Sequence, residues 1–275
     1  MPKVWFITGC SRGLGKSLAE FALKNGDFVI ATARKPESVK YLVDEYGADK
    51  VLPVALDVTS WQAAMAAVQA GVDKFKKIDV VINNAGYANT AAVEDLSIDD
   101  FRQQVDTNFF GVVYVSKAVL PVLRRQGAGH IFQVSSLGGR LGCPGLSAYQ
   151  SSKWAVSGFS TCLAAEVKPL GIQVTILEPG GMRTDWAGSS MKVPPVSEAY
   201  QQTVGEFSTK LRSNTGNEAT SPDKIGPIIE KLYQTAEPPV RVLVGPDAVQ
   251  YAGQVAKAQA ESDERWKELS LSAPA

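Results

Sequence analysis

Short apolar runs alternate with helical patterns along most of the chain, and this alternation is the feature that most restricts the fold. Seven runs have the length and near-continuous apolar character of buried strands, at 3–8, 28–33, 51–56, 79–82, 130–134, 173–177 and 241–244. Helical patterns follow them at 14–25, 37–46, 61–75, 101–105 continuing to 125, 148–168 and 225–235. The alternation predicts the α/β class, with a seven-stranded parallel sheet flanked by helices on both faces.

Two segments break this rhythm. Residues 185–221 form a long connection that contains Pro194-Pro195 and scattered apolar residues. Because long connections in compact domains are commonly lids or binding loops, we expect a substrate-binding loop insert at 185–221 within one domain spanning 1–275. Residues 247–275 are expected to form a C-terminal helical extension that closes the pocket, joins an interface or caps the fold.

Composition excludes several classes of protein. The 28 Lys and Arg balance the 28 Asp and Glu, so no basic field favours nucleic acid. No apolar run approaches the roughly 20 residues that a membrane span requires, and the N-terminus lacks the pattern of a signal peptide. The three cysteines are widely spaced and no His/Cys/carboxylate cluster occurs, so we expect no disulfide framework and no metal. A cytoplasmic protein fits these observations best.

A glycine-rich loop separates the first predicted strand from the first helix. It reads Thr8-Gly9-Cys10-Ser11-Arg12-Gly13-Leu14-Gly15. Glycines permit a tight turn and close approach of the backbone, and the free N–H groups of the helix N-terminus attract a pyrophosphate. The alternative is a merely glycine-rich turn, but the position after strand one favours a Rossmann-type dinucleotide site. The candidate cofactor-binding residues here are Gly9, Ser11, Arg12, Gly13, Leu14 and Gly15.

The end of the second predicted strand bears on the choice of cofactor. An acidic residue there would bind the ribose 2′-hydroxyl of NAD, but the strand ends Ala31-Thr32-Ala33-Arg34-Lys35. Arg34 is suited to a 2′-phosphate, and Arg12 can approach the same group. Unless both are ordinary surface arginines, the sequence predicts NADP(H) rather than NAD(H).

Tyr149 and Lys153 are four residues apart in a predicted helix and therefore share one face. A nearby ammonium group favours the phenolate and lowers the pKa of a tyrosine toward the range useful for acid–base catalysis. The alternative for so short a pattern is an ordinary solvated helix face.

Taken together, these patterns resemble the short-chain dehydrogenase/reductase family over at least residues 3–245. The cofactor loop and the Tyr149–Lys153 pair match that family. The spacing between Ser136 and Tyr149 is also the one that separates the catalytic serine from the catalytic tyrosine in the family. Four further matches are Asp57-Val58, Asn83-Asn84-Ala85-Gly86, Asn108 followed by Gly111, and Pro179-Gly180-Gly181-Met182-Arg183-Thr184.

The resemblance implies roles for four catalytic residues. Tyr149 would exchange a proton with the carbonyl oxygen during hydride transfer, and Ser136 would donate a hydrogen bond to that oxygen. Lys153 would lower the pKa of the phenol and hold the nicotinamide ribose. Asn108 would hold a water that relays protons from Lys153 to bulk solvent.

The resemblance also implies cofactor contacts beyond the glycine loop. Thr184 would bind the carboxamide, Asp57 and Val58 would contact the adenine, and Asn84, Ala85 and Gly86 would line the adenosine and ribose. The full implied set outside the loop is Arg34, Asp57, Val58, Asn84, Ala85, Gly86, Tyr149, Lys153, Pro179, Gly180, Met182 and Thr184.

Two further polar residues, Ser135 and His130, are weighed as catalytic candidates. Ser135 neighbours Ser136, and because side chains alternate along a strand only one of them faces the site. The spacing favours Ser136 and leaves Ser135 structural. The single histidine, His130, begins the fifth strand and is interpreted as a residue of the strand edge rather than a catalyst.

The sequence bears on the substrate only through the residues expected to line its pocket. The candidate lining residues are Tyr87, Leu137, Cys143, Leu146 and Trp186. These are mostly apolar and include no anion clamp, so we expect a hydrophobic ketone or aldehyde, or a secondary alcohol.

The expected assembly is a homodimer or homotetramer. In relatives, the helices that correspond to 109–125 and 148–168 form such contacts, and 109–125 is apolar nearly all round. Two other functions stay open: an NADP(H)-sensing regulatory protein on the same fold, and an epimerase or dehydratase of the longer relatives. The complete set of Ser136, Tyr149, Lys153 and Asn108 favours the reductase.

Overall fold

A seven-stranded, entirely parallel sheet forms the centre of the molecule, as the sequence predicted. The computed structural model describes residues 1–188 and 190–273. The strand order is β3-β2-β1-β4-β5-β6-β7. The strands are β1 (Val4–Ile7), β2 (Phe28–Ala33), β3 (Val51–Ala55), β4 (Val80–Asn83), β5 (Gly129–Val134), β6 (Ile172–Pro179) and β7 (Arg241–Val244).

Helices cover both faces of this sheet. Within the described residues they are α1 (Gly13–Lys24), α2 (Lys40–Tyr46), α3 (Trp61–Phe75), α4 (Ile98–Val105), α5 (Gly111–Gln126), α6 (Ser147–Val167), α7 (Glu206–Ser213), α8 (Ile225–Gln234), α9 (Pro246–Arg265) and α10 (Lys267–Leu271). Helices α1, α2 and α8 pack on one face, and α3, α5 and α6 pack on the other. None of the helices described is long and apolar enough to cross a membrane.

Alternation along the strands supplies both hydrophobic cores. In β1, Trp5 and Ile7 pack toward α1, whereas Val4 and Phe6 pack toward α3 and α5. All four side chains are buried. Burying an apolar side chain of this size contributes about 1.5–3 kcal/mol, and this is why strands with no polar face form the middle of the sheet.

Serine side chains cap the start of two helices, α3 and α4. The hydroxyl of Ser60 accepts a hydrogen bond from the backbone N–H of Ala63 at 3.2 Å, and that of Ser97 accepts from Asp100 at 3.1 Å. These side chains satisfy backbone donors that have no partner within the helix.

A π-helical turn at Asp106–Phe110 joins α4 to α5, and the sequence analysis did not anticipate it. Such turns carry an extra residue relative to an α-helical turn, which redirects the side chains that follow. The turn buries Asn108 completely and aims it at the loop after β4.

The segment 185–221 contains more regular structure than expected from its sequence. Helix α7 lies inside it, preceded by a 3-10 turn at Glu198–Tyr200 and a π-helical turn at Gln201–Gly205. The expected C-terminal helix is present but breaks at Trp266, which separates α9 from α10. Two consecutive prolines and few apolar residues concealed the helical content of 185–221 in the sequence.

Candidate active site

The predicted site residues meet at the carboxyl edge of the sheet. The glycine loop follows β1, Asn84 follows β4, Ser136 follows β5 and Pro179 ends β6. Strands β1 and β4 are neighbours from which the chain winds in opposite directions. Ligands of open α/β sheets bind in the crevice at such a switch point.

The glycine loop is closely packed backbone. Gly9 and Gly13 have φ values of +74° and +54°, which favour glycine. A β-carbon at Gly15 would overlap the carbonyl oxygen of Gly9. The side chain of Leu14 is buried in the core, so the side chain anchors the helix while its backbone remains at the loop. The arrangement leaves the N-terminus of α1 open for a phosphate group.

Residues after β4 hold this loop in place. The hydroxyl of Thr8 accepts hydrogen bonds from the backbone N–H groups of Asn84 and Ala85, each at 2.9 Å. The Asn84 side chain donates to the carbonyl of Thr8 at 2.9 Å. Asn83 is instead buried and donates to Ser116 and Gln133. The side chain of Asn84 therefore shapes the loop.

The adenosine end of the predicted cofactor site is more open. Arg34 and Asp57 are exposed, and Asp57 accepts two hydrogen bonds from Thr59. The side chain of Val58 is buried against Gly111, where a β-carbon would lie 2.7 Å from it. Val58 is therefore a packing residue whose backbone alone can reach the cleft.

Arg12 and Arg34 differ in their surroundings. The Arg12 guanidinium lies 3.9 Å from the Asp185 carboxylate, and both side chains are largely exposed. Burial raises the pKa of Tyr87, and the charge of Arg34 acts in the opposite direction. Arg34 is therefore close enough to Tyr87 for its charge to act on the phenol.

Tyr149, Ser136 and Lys153 come together as the spacing predicted. The Lys153 ammonium lies 5.7 Å from the centre of the Tyr149 ring and donates to the carbonyl of Val134 at 2.8 Å. Ser136 acts to lower the pKa of the Tyr149 phenol. Tyr149 and Lys153 are both buried, at 8% and 4% exposure.

The pKa of Tyr149 differs from the expectation. The sequence analysis predicted a lowered value, whereas burial raises the pKa of the phenol to about 12, against the opposing effect of Ser136. Burial also lowers the pKa of Lys153 to about 8. Removal from water disfavours both charged forms, and the ammonium bonds to a backbone carbonyl rather than to the phenol. The phenol of Tyr149 is therefore protonated and neutral at neutral pH.

Asn108 is bound to the backbone of Tyr87. Its amide oxygen accepts from the Tyr87 N–H at 2.9 Å, and its amide nitrogen donates to the Tyr87 carbonyl at 2.8 Å. A β-carbon at Gly86 would lie 2.9 Å from the Asn108 oxygen and 3.6 Å from the Lys153 nitrogen. Asn108 thus fixes the loop beside Lys153.

The two adjacent serines point in different directions. The hydroxyl of Ser135 bonds to the Lys153 carbonyl at 3.1 Å and to Ser157 at 2.9 Å, so it is part of the packing against α6. Arg140, after the turn that Ser136 begins, donates to the buried Glu178 at 2.8 Å. The turn after Ser136 is therefore anchored at both ends.

His130 lies near the start of β5, but it is a core residue rather than an exposed one. Its side chain is buried, stacks on Phe132 at 3.9 Å and hydrogen-bonds to Thr175 at 2.9 Å. Burial lowers its pKa to about 3, so the imidazole is neutral. It lies near the amino end of β5, away from Ser136.

A third apolar cluster covers Tyr149. The Trp186 ring lies 5.0 Å from the Tyr149 ring, measured between centres. The buried members are Ala88, Leu146, Tyr149, Ala187 and Met191, and the half-buried ones are Cys143, Trp186, Val193, Phe207 and Leu211.

Three of the five predicted lining residues, Cys143, Leu146 and Trp186, belong to this cluster, whereas Leu137 and Tyr87 lie outside it. The predicted list omitted Phe207 and Leu211, which lie on one face of α7. Their spacing of four residues could have indicated that both side chains share one helix face and line the pocket.

Within the described residues, no group of three His, Cys, Asp or Glu side chains is suited to hold a metal ion.

Comparison with known proteins bears on the family. The family model described as short chain dehydrogenase matches residues 3–193. Oxidoreductase BOA17 of Botryotinia fuckeliana is 65% identical over 271 residues, which cover 98% of this chain and 99% of that protein. The crystal structure of a short-chain dehydrogenase from Streptomyces avermitilis has a TM-score of 0.92 at 31% identity, with 100% and 99% of the two chains covered.

Similar solved structures hold different nicotinamide cofactors. A 3-ketoacyl-(acyl-carrier-protein) reductase from Brucella melitensis, solved with NADH, is 26% identical with a TM-score of 0.74 and covers 88% of this chain and 96% of its own. Others were solved with NADP. By its sequence, its parallel sheet and its position among these relatives, the chain is an oxidoreductase that belongs to the short-chain dehydrogenase/reductase family.

Proposed function

We propose that the protein reduces a hydrophobic ketone or aldehyde with NADP(H), and that Tyr149 is the general acid. The observation that carries this proposal is the buried phenol of Tyr149, which lies beside Lys153 and is covered by Trp186, while Ser136 acts to lower its pKa. A protonated phenol next to a second hydroxyl donor is suited to bind a carbonyl oxygen and to protonate it.

The glycine loop fits a dinucleotide. A β-carbon at Gly9 or Gly15 would occupy the narrow space in which the loop packs against the residues after β4. Gly9, Ser11, Gly13 and Gly15 would bind the pyrophosphate, and Pro179, Gly180, Met182 and Thr184 would hold the nicotinamide end. A bound nicotinamide cofactor supplies the hydride in this chemistry.

The remaining steps belong to side chains of this chain. Ser136 donates a hydrogen bond to the substrate oxygen, and Tyr149 transfers its proton to that oxygen. Lys153 lies next to Gly86, at the place where a ribose would bind, and its charge stabilises the phenolate that forms. Trp186 excludes water from the phenol.

Two arginines support NADP(H) over NAD(H). Arg34 follows β2 directly and no carboxylate stands at that position. A guanidinium forms paired, charge-assisted bonds to a phosphate, whereas it has no comparable partner on a free ribose hydroxyl. Arg12 adds positive charge nearby, although Asp185 partly neutralises it. Family membership alone leaves this choice open, since similar structures hold either cofactor.

The apolar cluster supports a hydrophobic substrate. Residues of 185–221 supply Trp186, Phe207 and Leu211 to it, and α6 supplies Tyr149. This arrangement supports a substrate-binding role for 185–221 within one catalytic unit.

Two exposed aromatic side chains support a dimer formed through α5 and α6. They are Phe110, just before α5, and Trp154 on α6, at 40% and 48% exposure.

The experiment is NADPH oxidation by the purified protein with a panel of apolar and polar ketones and aldehydes. We expect turnover of apolar carbonyls and a loss of about 10³-fold in kcat for Tyr149→Phe, with NADPH binding kept. Tyr233→Phe, which alters a tyrosine on the opposite face of the sheet, is the matched control.

The same reaction has an expected pH dependence. Lys153 is charged below its pKa of about 8, so kcat should be constant up to that pH and fall as pH rises through it. NADPH binding without turnover of any carbonyl would contradict the reductase and favour the NADP(H)-sensing regulator.

A further inference from the structure

The two ends of 185–221 meet beside the nicotinamide end of the predicted cofactor site. Met182 and Thr220 form a short parallel bridge, and the Arg183 N–H donates to the Thr220 carbonyl at 2.9 Å. The Thr220 N–H donates to the Gly181 carbonyl at 3.3 Å. Backbone pairing therefore closes the base of the segment against residues 181–183.

Asp247, in the first turn of α9, reaches this base from the C-terminal extension. One of its carboxylate oxygens accepts a hydrogen bond from the Gly181 N–H at 2.7 Å. A β-carbon at Gly180 would overlap the Asp247 carboxylate, and one at Gly245 would overlap the Thr220 hydroxyl. The two glycines therefore permit the carboxylate and the bridge to approach each other.

The second carboxylate oxygen of Asp247 is buried and accepts no hydrogen bond from the described residues, and the hydroxyl of Thr220 is likewise buried without a partner. Burying an unpaired carboxylate oxygen destabilises a fold. A buried polar atom without a partner calls for an explanation. Here the contacts of the same carboxylate with Gly180 and Gly181 indicate that its position holds that loop at the carboxyl edge of the sheet.

A simpler role for Asp247 is to stabilise α9, because acidic residues in a first turn interact favourably with the helix dipole. That role requires no contact outside the helix. The bond to Gly181 joins α9 to a stretch that is remote in sequence, and the packing against Gly180 adds to it.

We propose that Asp247 is a positioning residue that fixes the backbone of Gly180–Thr184 and so sets the affinity for the nicotinamide half of the cofactor. Through the bridge at Thr220 it also holds the base of 185–221. The C-terminal extension thereby acts on cofactor binding without touching the cofactor. This inference rests on the proposed function.

The test compares Asp247→Ala, Asp247→Asn and wild type in the full-length chain. Isothermal titration with NADPH should give a Kd about tenfold higher for Asp247→Ala, with KM for NADPH raised equally and kcat at saturating NADPH unchanged. Asp247→Asn keeps an acceptor oxygen for Gly181 and should recover most of the affinity. Asp263→Ala, an exposed carboxylate at the far end of α9, should change nothing.

A second measurement follows the base of the segment directly. Trypsin should cleave after Lys192, Lys210 or Arg212 about tenfold faster in Asp247→Ala than in wild type. If Asp247→Ala does not fold, Asp247→Ser replaces it with the same expectation, because serine keeps a polar side chain in the first turn of α9 but is too short to reach Gly181.

Unchanged NADPH affinity and cleavage in the folded variant would overturn the proposal. So would equal losses in Asp247→Asn and Asp247→Ala, since they would assign the effect to helix charge. Wild type that binds neither NADPH nor NADH would refute the proposed function instead, and the cleavage rates would then decide alone whether Asp247 holds the segment.

Discussion

The glycine loop and the segment 185–221 approach each other at Arg12 and Asp185 but are built on different principles. The loop is shaped by backbone contacts, such as those of Thr8 with the residues after β4. The segment is positioned by side chains that pack together around Trp186. Backbone contacts at van der Waals distance tolerate no added atom, whereas an apolar cluster can repack around a changed side chain.

This difference has a functional meaning. Similar structures hold a nicotinamide dinucleotide, either NAD(H) or NADP(H), so a site for its shared pyrophosphate can be fixed in detail. Substrates vary between relatives, and an apolar cluster carried on a long connection can change without disturbing the sheet. The buried Tyr149 belongs to this apolar cluster, with its ring centre 5.0 Å from that of Trp186.

The largest expected effect tests the rigid side. Gly15→Ala places a β-carbon against the Gly9 carbonyl, so the loop must shift and NADPH affinity should fall by about 100-fold or more. Isothermal titration measures this loss. Gly253→Ala, on α9 with open space around it, is the control and should keep full affinity. Normal NADPH binding by Gly15→Ala would mean that the loop is more adaptable than its contacts indicate.

An intermediate effect tests the charge at the adenosine end. Arg34→Ala should raise the Kd for NADPH by about 10- to 100-fold and leave the Kd for NADH unchanged, because only the 2′-phosphate loses a partner. Lys35→Ala, the exposed neighbour, controls for a general loss of positive charge. Equal affinity of wild type for the two cofactors, unaltered in Arg34→Ala, would remove the basis for NADP(H).

The smallest effect tests the adaptable side. Phe207→Ala removes a half-buried ring from the cluster and should raise KM for an apolar carbonyl about tenfold while the Kd for NADPH stays constant. Phe21→Ala, also half-buried but packed against the core beneath α1, is the matched control. It should lower the thermal midpoint without altering KM. A changed NADPH affinity in Phe207→Ala would show that the two regions are coupled.

The sequence alone determined the parallel sheet, because strands with no polar face can only be buried between two helical layers. The sequence also predicted that Ser136, Tyr149 and Lys153 lie close together, since their spacing and the strand order restrict where each side chain can be placed. The glycine loop could also be predicted from the sequence, because its conformational requirements are local.

Only the tertiary structure decided features that depend on distant contacts. The pKa of Tyr149 rises because the phenol, carried by α6, is buried under Trp186, which no local pattern shows. Asn108 faces Tyr87 because a π-helical turn redirects it. Asp247 reaches Gly181 across 66 residues of sequence. Burial and long-range pairing arise from the assembled fold, so they escape an analysis that sees only neighbours along the chain.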